Sequence, residues 1–312
     1  MGRVNIDMTE KECVGILGCG AMGLLFAARF LDADREVVLV EKDPQTLAAL
    51  QAGFVLEEDG GRREYRCSVG GDVSALAACD VVFVWVKSGD TKAVADSIQG
   101  KLRADGILVS LQNGIGNADV LRYTGYSVVA GTTAMGATRL GLNSVRAGGL
   151  GETVIGSEHG GAMQKLAALL EAAGFPLRIT KSVEKAIWEK AVINAAINPL
   201  GALLGLANGQ LPGNPGAAAV QKAVVEEAVA VAAFAGVQLD SPAMCAEVEK
   251  VCRATAGNRC SMLQDLDAGR FTEIEAINGY MVSLAAANGK ALPVNETLCQ
   301  LVHAREQTWA YV

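Results

Sequence analysis

The sequence predicts an α/β domain followed by an all-α domain. Short apolar runs alternate with helical patterns through the first half, whereas long apolar-periodic segments fill the second, and the character changes at residues 180–182. At 312 residues the chain also exceeds the usual size of one domain, so two domains of about 150 residues are expected, here residues 1–180 and 181–312.

In the first half, strands are expected at 13–17, 36–40, 81–86 and 107–111, in βαβ order with parallel pairing. Further strand-like runs lie at 127–130 and 153–155, then an amphipathic helix at 163–173 and a strand at 177–180. The second half reads as helices at 183–197, 217–235, 242–266, 273–288 and 295–310. Pro199 disfavours a helical conformation at Asn198, so the first of these helices is expected to bend or end there. The most apolar stretch, 217–237, is broken by Lys222, Glu226 and Glu227, which makes it a core helix rather than a membrane span. A ligand site is expected between the two domains.

Composition narrows the function. Hydrophobic residues at 51% and charged residues at 20% supply a sizeable core, which excludes a disordered chain, and an aromatic content of only 5% points to closely packed aliphatic helices. A net charge of -7 with no run of lysine and arginine argues against nucleic acid. Residues 1–12 include Asp7, Glu10 and Glu12 and lack the basic start and apolar core of a signal peptide, so a cytoplasmic location without membrane contact is expected. Eight cysteines without a Cys-x-x-Cys pair read as reduced, mostly buried thiols. The two histidines, His159 and His303, have no metal-ligand spacing near them, and no metal is expected.

Gly18-Cys19-Gly20-Ala21-Met22-Gly23 is a G-x-G-x-x-G between a strand and a helical run at 24–31. In that context Gly18 permits the tight turn, Gly20 lets the backbone approach a pyrophosphate, and Gly23 lets helix pack on strand. The helix N-terminus then faces the phosphate charge, so the first domain is expected to be a Rossmann-type dinucleotide-binding domain. Flavin and nicotinamide enzymes and non-catalytic sensors share such a loop, and the second domain must decide the reaction.

There, Lys190, Asn194 and Asn198 fall at i, i+4 and i+8 and project from one side of a helix, among apolar or small neighbours. A solvated stripe usually carries glutamate–lysine pairs rather than asparagines, which are poor helix formers. A second cluster runs from Asn258 to Asp265, ahead of Thr272 and Glu275, whose capping-box spacing predicts a helix start with Glu273 in its first turn.

Taken in order, these motifs resemble the ketopantoate reductase (2-dehydropantoate 2-reductase) family. The resemblance spans residues 13–307 and rests on the glycine loop, Lys87 after a strand, Leu111-Gln112-Asn113-Gly114-Ile115-Gly116, Trp188-Glu189-Lys190 with Asn194 and Asn198-Pro199-Leu200, and Ser261-Met262-Leu263-Gln264-Asp265 before Thr272-Glu273-Ile274. It implies NADPH-dependent reduction of 2-dehydropantoate to (R)-pantoate on the way to pantothenate and coenzyme A. Matched residue by residue, Lys190 would be the general acid and Glu273 its catalytic partner. Asn113, Asn194, Asn198, Asn208, Asn258 and Ser261 would bind substrate, with Lys87 and Asn113 at the nicotinamide end of the cofactor. The expected partner is a small 2-oxo acid, and a homodimer is compatible with the sequence.

The residue types agree with that chemistry. Hydride delivered to a 2-oxo carbon builds alkoxide charge, which a buried ammonium stabilises and protonates. Burial lowers a lysine pKa while a nearby carboxylate opposes the shift. Two positions depart from the family pattern: Asp90, before Thr91, stands where the family usually has glutamine, and Glu41 precedes Lys42 where a neutral residue is usual. Glu41 would accept hydrogen bonds from the ribose of NADH, whereas Lys42 would pair with the 2′-phosphate of NADPH, so use of both cofactors with a modest preference for NADPH is expected. A related reductase of another 2-oxo acid or of an opine-type imine, and a non-catalytic dinucleotide sensor, are the alternatives.

Overall fold

Period-two burial builds the N-terminal sheet. In strand β1 (Cys13–Leu17), Val14 and Ile16 enter one apolar layer while Cys13 and Leu17 enter another, and in the strand Val81–Val84 the pair Val81 and Phe83 divides from Val82 and Val84 in the same way. A sheet covered on both faces needs strands that are apolar throughout, and these are. The computed structural model describes residues 11–157 and 160–308. His159, most of the 1–12 stretch and the end of the expected 295–310 helix lie outside them.

Among the described residues, the first unit comprises those up to 86, 90–111 and 118–181. After β1 come α1 (Ala21–Asp32), β2 (Glu36–Val40), α2 (Pro44–Gln51), β3 (Phe54–Glu58), β4 (Gly61–Tyr65), β5 (Ser68–Gly70) and β6 (Val81–Val84). Then follow α3 (Thr91–Ile98), β7 (Ile107–Ser110), α4 (Asn117–Arg122), β8 (Ser127–Thr133), β9 (Ala137–Arg139), β10 (Ser144–Ala147), β11 (Thr153–Gly156), α5 (Gly160–Ala172) and β12 (Leu177–Ile179). Eight strands form one sheet in the order β12-β11-β8-β7-β6-β1-β2-β5, parallel except where β11 meets β8. Phe26 and Phe30 of α1 close on Phe83 and Phe175, with Phe26 and Phe175 centroids 4.4 Å apart. Burying each such ring contributes roughly 1.5–3 kcal/mol.

A second sheet, in the order β4-β3-β10-β9, lies against α1. The sequence reading did not include it. β4 (Gly-Arg-Arg-Glu-Tyr) is almost wholly exposed and has no apolar alternation to betray a strand. The expected strands at 81–86 and 107–111 end early, at Val84 and Ser110, and Lys87–Gly89 and Gln112–Asn117 beyond them belong to the second unit.

That second unit, completed by the described residues from 182 to 308, is helical. Its main helices are α6 (Val183–Leu204), α7 (Pro215–Ala232), α8 (Ser241–Ala254), α9 (Ser261–Asp267), α10 (Tyr280–Ala287) and α11 (Pro293–Gln307). Three expectations need correction. First, α6 does not end at Pro199 but runs on to Leu204 and a left-handed Gly205. Proline removes the N–H that Ala195 O would accept, and Asn278 Nδ2 donates to that carbonyl instead, at 3.3 Å. Asn278 also donates to Asn295 Oδ1 at 2.9 Å, and Asn295 Nδ2 donates to Glu227 at 2.7 Å, so a buried amide chain stands in for the missing bond.

Second, the expected 242–266 helix is two helices, because the chain turns at Thr255, where Asn258 N donates to Thr255 O at 2.8 Å. Third, the capping box at Thr272 does not form. Thr272 Oγ1 accepts from Ile274 N at 3.3 Å, Glu306 rather than Glu275 takes the Thr272 N–H at 2.7 Å, and Glu275 pairs with His303. A π-helical turn, Glu275–Gly279, then opens α10, which leaves Glu273 just ahead of the helix. No described helix is long and apolar enough to cross a membrane, and no described group of histidine, cysteine and acidic residues is arranged to hold a metal ion.

Candidate active site

The turn between β1 and α1 has the shape a pyrophosphate requires. Gly18 has φ of +102°, and a Cβ there would sit 2.7 Å from Val86 N, so only glycine fits. A Cβ on Gly23 would meet Gly18 O at 2.2 Å, the mark of helix packed closely on strand. Around Gly20 nothing lies within 4 Å of the place a Cβ would fill, which leaves an open cradle. Gly20 is the N-cap of α1 with no side-chain cap bond, and no acid occupies the first turn, so the N–H groups face an approaching anion unopposed. These residues fit a dinucleotide phosphate. Ala21 and Met22 open the helix, and Cys19 is buried with its thiol on Val40 O, so Cys19 can offer a ligand only its backbone.

At the end of β2, Glu41 Oε1 accepts from Asp43 N at 3.0 Å, and Lys42 Nζ lies 3.2 Å from Asp90 Oδ1. The acid is folded against its own chain, and the lysine is engaged with the residue that departs from the family pattern.

In the helical unit, α6 carries Lys190 and Asn194, both half-buried, and Asn198, buried, along one side. Burial pushes the Lys190 ammonium down to about 8, against an opposing pull upward from the Glu273 carboxylate. Glu273 is itself held. Asn113 Nδ2 donates to its Oε2 at 3.2 Å, and Ser88 N donates to its Oε1 at 3.3 Å. Ser88 Oγ has one proton and lies nearer Asn113 O (2.8 Å) than Glu273 Oε1 (3.3 Å), while Asn117 Nδ2 donates to both Ser88 Oγ and Asn113 O. Ser88, Asn113 and Asn117 therefore form one bracket behind the carboxylate. The loop that carries Asn113 is seated on the π-helical turn: Ile115 N donates to Ala276 O at 3.0 Å, and a Cβ on Gly114 (φ +84°) would fall 2.5 Å from that oxygen.

Lys87 pairs with Asp265 and donates to Phe271 O at 2.8 Å, and Arg270 Nε donates to the other Asp265 oxygen at 3.0 Å. Asp265 is thus a buried carboxylate between two cations. Asn258, in the turn before α9, and Ser261, the first residue of α9, are both exposed. Asn208 is buried: its N–H donates to Asn258 O at 3.0 Å and its Nδ2 to Thr255 Oγ1 at 2.9 Å, while its Oδ1 has no hydrogen-bond partner among the described residues. Sequence reasoning missed Ser88 and Asn117 as parts of this arrangement. Ser88 and Glu273 are 185 positions apart, and no local pattern marks such a pair.

The glycine turn has the features of a dinucleotide-binding loop, and the helical unit, considered by itself, carries a lysine of lowered pKa under the charge of a bracketed carboxylate, features of NAD(P)-dependent oxidoreductases. A family model described as ketopantoate reductase PanE/ApbA matches residues 14–160, and its C-terminal counterpart matches residues 182–306. The chain belongs to the ketopantoate reductase family. The 2-dehydropantoate 2-reductase of Archaeoglobus fulgidus is 37% identical over 94% of this chain and 97% of its own length, and that of Halobacterium salinarum 34% identical over 94% and 99%. A crystal structure of a PanE/ApbA family ketopantoate reductase from Ralstonia eutropha matches with a TM-score of 0.87 at 34% identity, covering 95% of this chain and 99% of that one. The ternary structure of D-mandelate dehydrogenase with NADH and anilino(oxo)acetate matches with a TM-score of 0.90 at 26% identity and the same coverage.

Proposed function

We propose that this protein reduces 2-dehydropantoate to (R)-pantoate, in the cytoplasm, with NADPH preferred modestly over NADH. The observation that carries the reading is Lys190: an ammonium with a pKa of about 8, under the charge of Glu273, on the helix face it shares with Asn194 and Asn198. Glycines 18, 20 and 23 with Cys19, Ala21 and Met22 would hold the dinucleotide, and Glu41 and Lys42 would meet its ribose. The reduced nicotinamide, when bound, supplies a hydride to the 2-oxo carbon. Lys190 stabilises the oxyanion that develops and gives it a proton, and a pKa near the working pH favours that transfer. Glu273 keeps Lys190 charged and oriented, and the Ser88–Asn113 bracket fixes Glu273 in turn.

Asn194, Asn198, Asn258 and Ser261 supply directed hydrogen bonds for a carboxylate and a hydroxyl without adding charge. Asn208 holds the Asn258 backbone in place. Lys87, oriented by Asp265, and Asn113 would lie at the nicotinamide end. A second reading, reduction of a different 2-oxo acid, is favoured by the likeness to D-mandelate dehydrogenase. Chiral analysis of the product formed from 2-dehydropantoate and NADPH tests the first. Formation of (R)-pantoate is expected, and absence of product from enzyme that still binds cofactor would sink it.

A further inference from the structure

Glu41 and Lys42, adjacent and of opposite charge, leave cofactor choice balanced if they are the only groups considered. The structure adds a third. Lys42 Nζ is 3.2 Å from Asp90 Oδ1, and their side chains are 78% and 47% exposed, so both stand where a solvent-borne ligand reaches them. Asp90 is the N-cap of α3, a position where a carboxylate ordinarily accepts from its own helix, yet it makes no such cap bond. Its charge is turned to Lys42 instead. Glu41, meanwhile, accepts from Asp43 N.

We propose that Asp90 is a specificity-determining residue, which competes with the cofactor's 2′-phosphate for Lys42 and so narrows the preference for NADPH over NADH. The inference rests on the reading that the glycine turn holds a nicotinamide dinucleotide. A 2′-phosphate arriving at Lys42 brings up to two negative charges next to a carboxylate already seated there. Either the Lys42–Asp90 pair opens, or the phosphate binds against like-charge repulsion. NADH has a neutral hydroxyl at that place and meets neither cost.

The test is direct binding of NADPH and of NADH, by calorimetry at fixed ionic strength, to the wild type, Asp90→Asn, Lys42→Ala and the double variant. Asn is nearly the shape of Asp and α3 uses no Asp90 cap bond, so a change in melting temperature is not expected. Asp90→Asn should tighten NADPH by about threefold to tenfold, as expected for an exposed charge pair and a nearby like charge, and leave NADH within about twofold. The gain should vanish in the Lys42→Ala background. Equal tightening of both cofactors, no change in either, or a gain that persists without Lys42 would overturn the proposal while leaving dinucleotide binding intact. A wild-type protein that binds neither cofactor would overturn the dinucleotide reading and the proposal with it.

Discussion

Lys190 is a weaker base than an ordinary lysine because burial opposes its charge, and Glu273 limits that effect. Replacing Lys190 with Ala should therefore lower kcat by about two to four orders of magnitude, the worth of a proton donor and a fixed charge together, while cofactor affinity stays near that of the wild type. Stopped-flow turnover with parallel cofactor titration checks this, and near-normal turnover would remove the general-acid role. The sign of the pH dependence follows from the same group. Under the general-acid proposal, reduction needs the protonated lysine, so kcat/KM should fall as pH rises through about 8. Glu273→Gln removes the influence that holds the pKa up, so its decline should begin at lower pH. A profile that stays flat to high pH, or a shift in the opposite direction, would contradict the assignment.

At the scale of elements, Pro199 and Asn278 form a matched pair. Asn278→Ala leaves the buried Ala195 carbonyl without its donor and takes one from Asn295, at about 1–3 kcal/mol for each unsatisfied group. Pro199→Ala supplies a backbone N–H in register with Ala195 O, so the Asn278→Ala penalty should shrink in that background. Urea denaturation of the four proteins measures it, and an identical penalty with and without the proline would show that the amide does not stand in for the missing bond. Hydrogen bonds that the imidazole donates to the carboxylates of Glu275, and then of Glu306, raise the His303 pKa against the effect of burial. A raised imidazole stabilises the folded state fully below its unfolded value and loses that contribution as pH rises through the folded one. His303→Gln should thus lower the Tm at about pH 5.5 and have little effect at about pH 9, and a deficit independent of pH would assign His303 to packing alone.

Much of this was legible locally. β1 and β2 lie where the sequence places them, at 13–17 and 36–40, the glycine spacing marks the cradle, and the four-residue steps from Lys190 to Asn198 mark one side of α6. The rest depends on partners distant in sequence. Nothing near Pro199 announces an amide from position 278 that lets the helix continue, and nothing near Thr272 announces that Glu306 takes the N–H its own Glu275 was expected to cap.

For the whole molecule, the proposed function divides the work between the two units: a sheet with apolar layers on both faces would carry the glycine turn that meets a dinucleotide, and the helical unit would offer directed polar groups to a 2-oxo acid. The gem-dimethyl tail of the proposed substrate, 2-dehydropantoate, asks only for an apolar wall, which many side chains supply, so substrate identity is a property to be measured on the intact enzyme. The most direct measurement is kcat/KM for a panel of 2-oxo acids that includes 2-dehydropantoate and phenylglyoxylate, each assayed with NADPH and with NADH. The expected result is that 2-dehydropantoate leads the panel by at least about tenfold, with both cofactors used and NADPH modestly ahead. Phenylglyoxylate or another 2-oxo acid ahead of 2-dehydropantoate, or cofactor binding with no turnover of any 2-oxo acid, would contradict it.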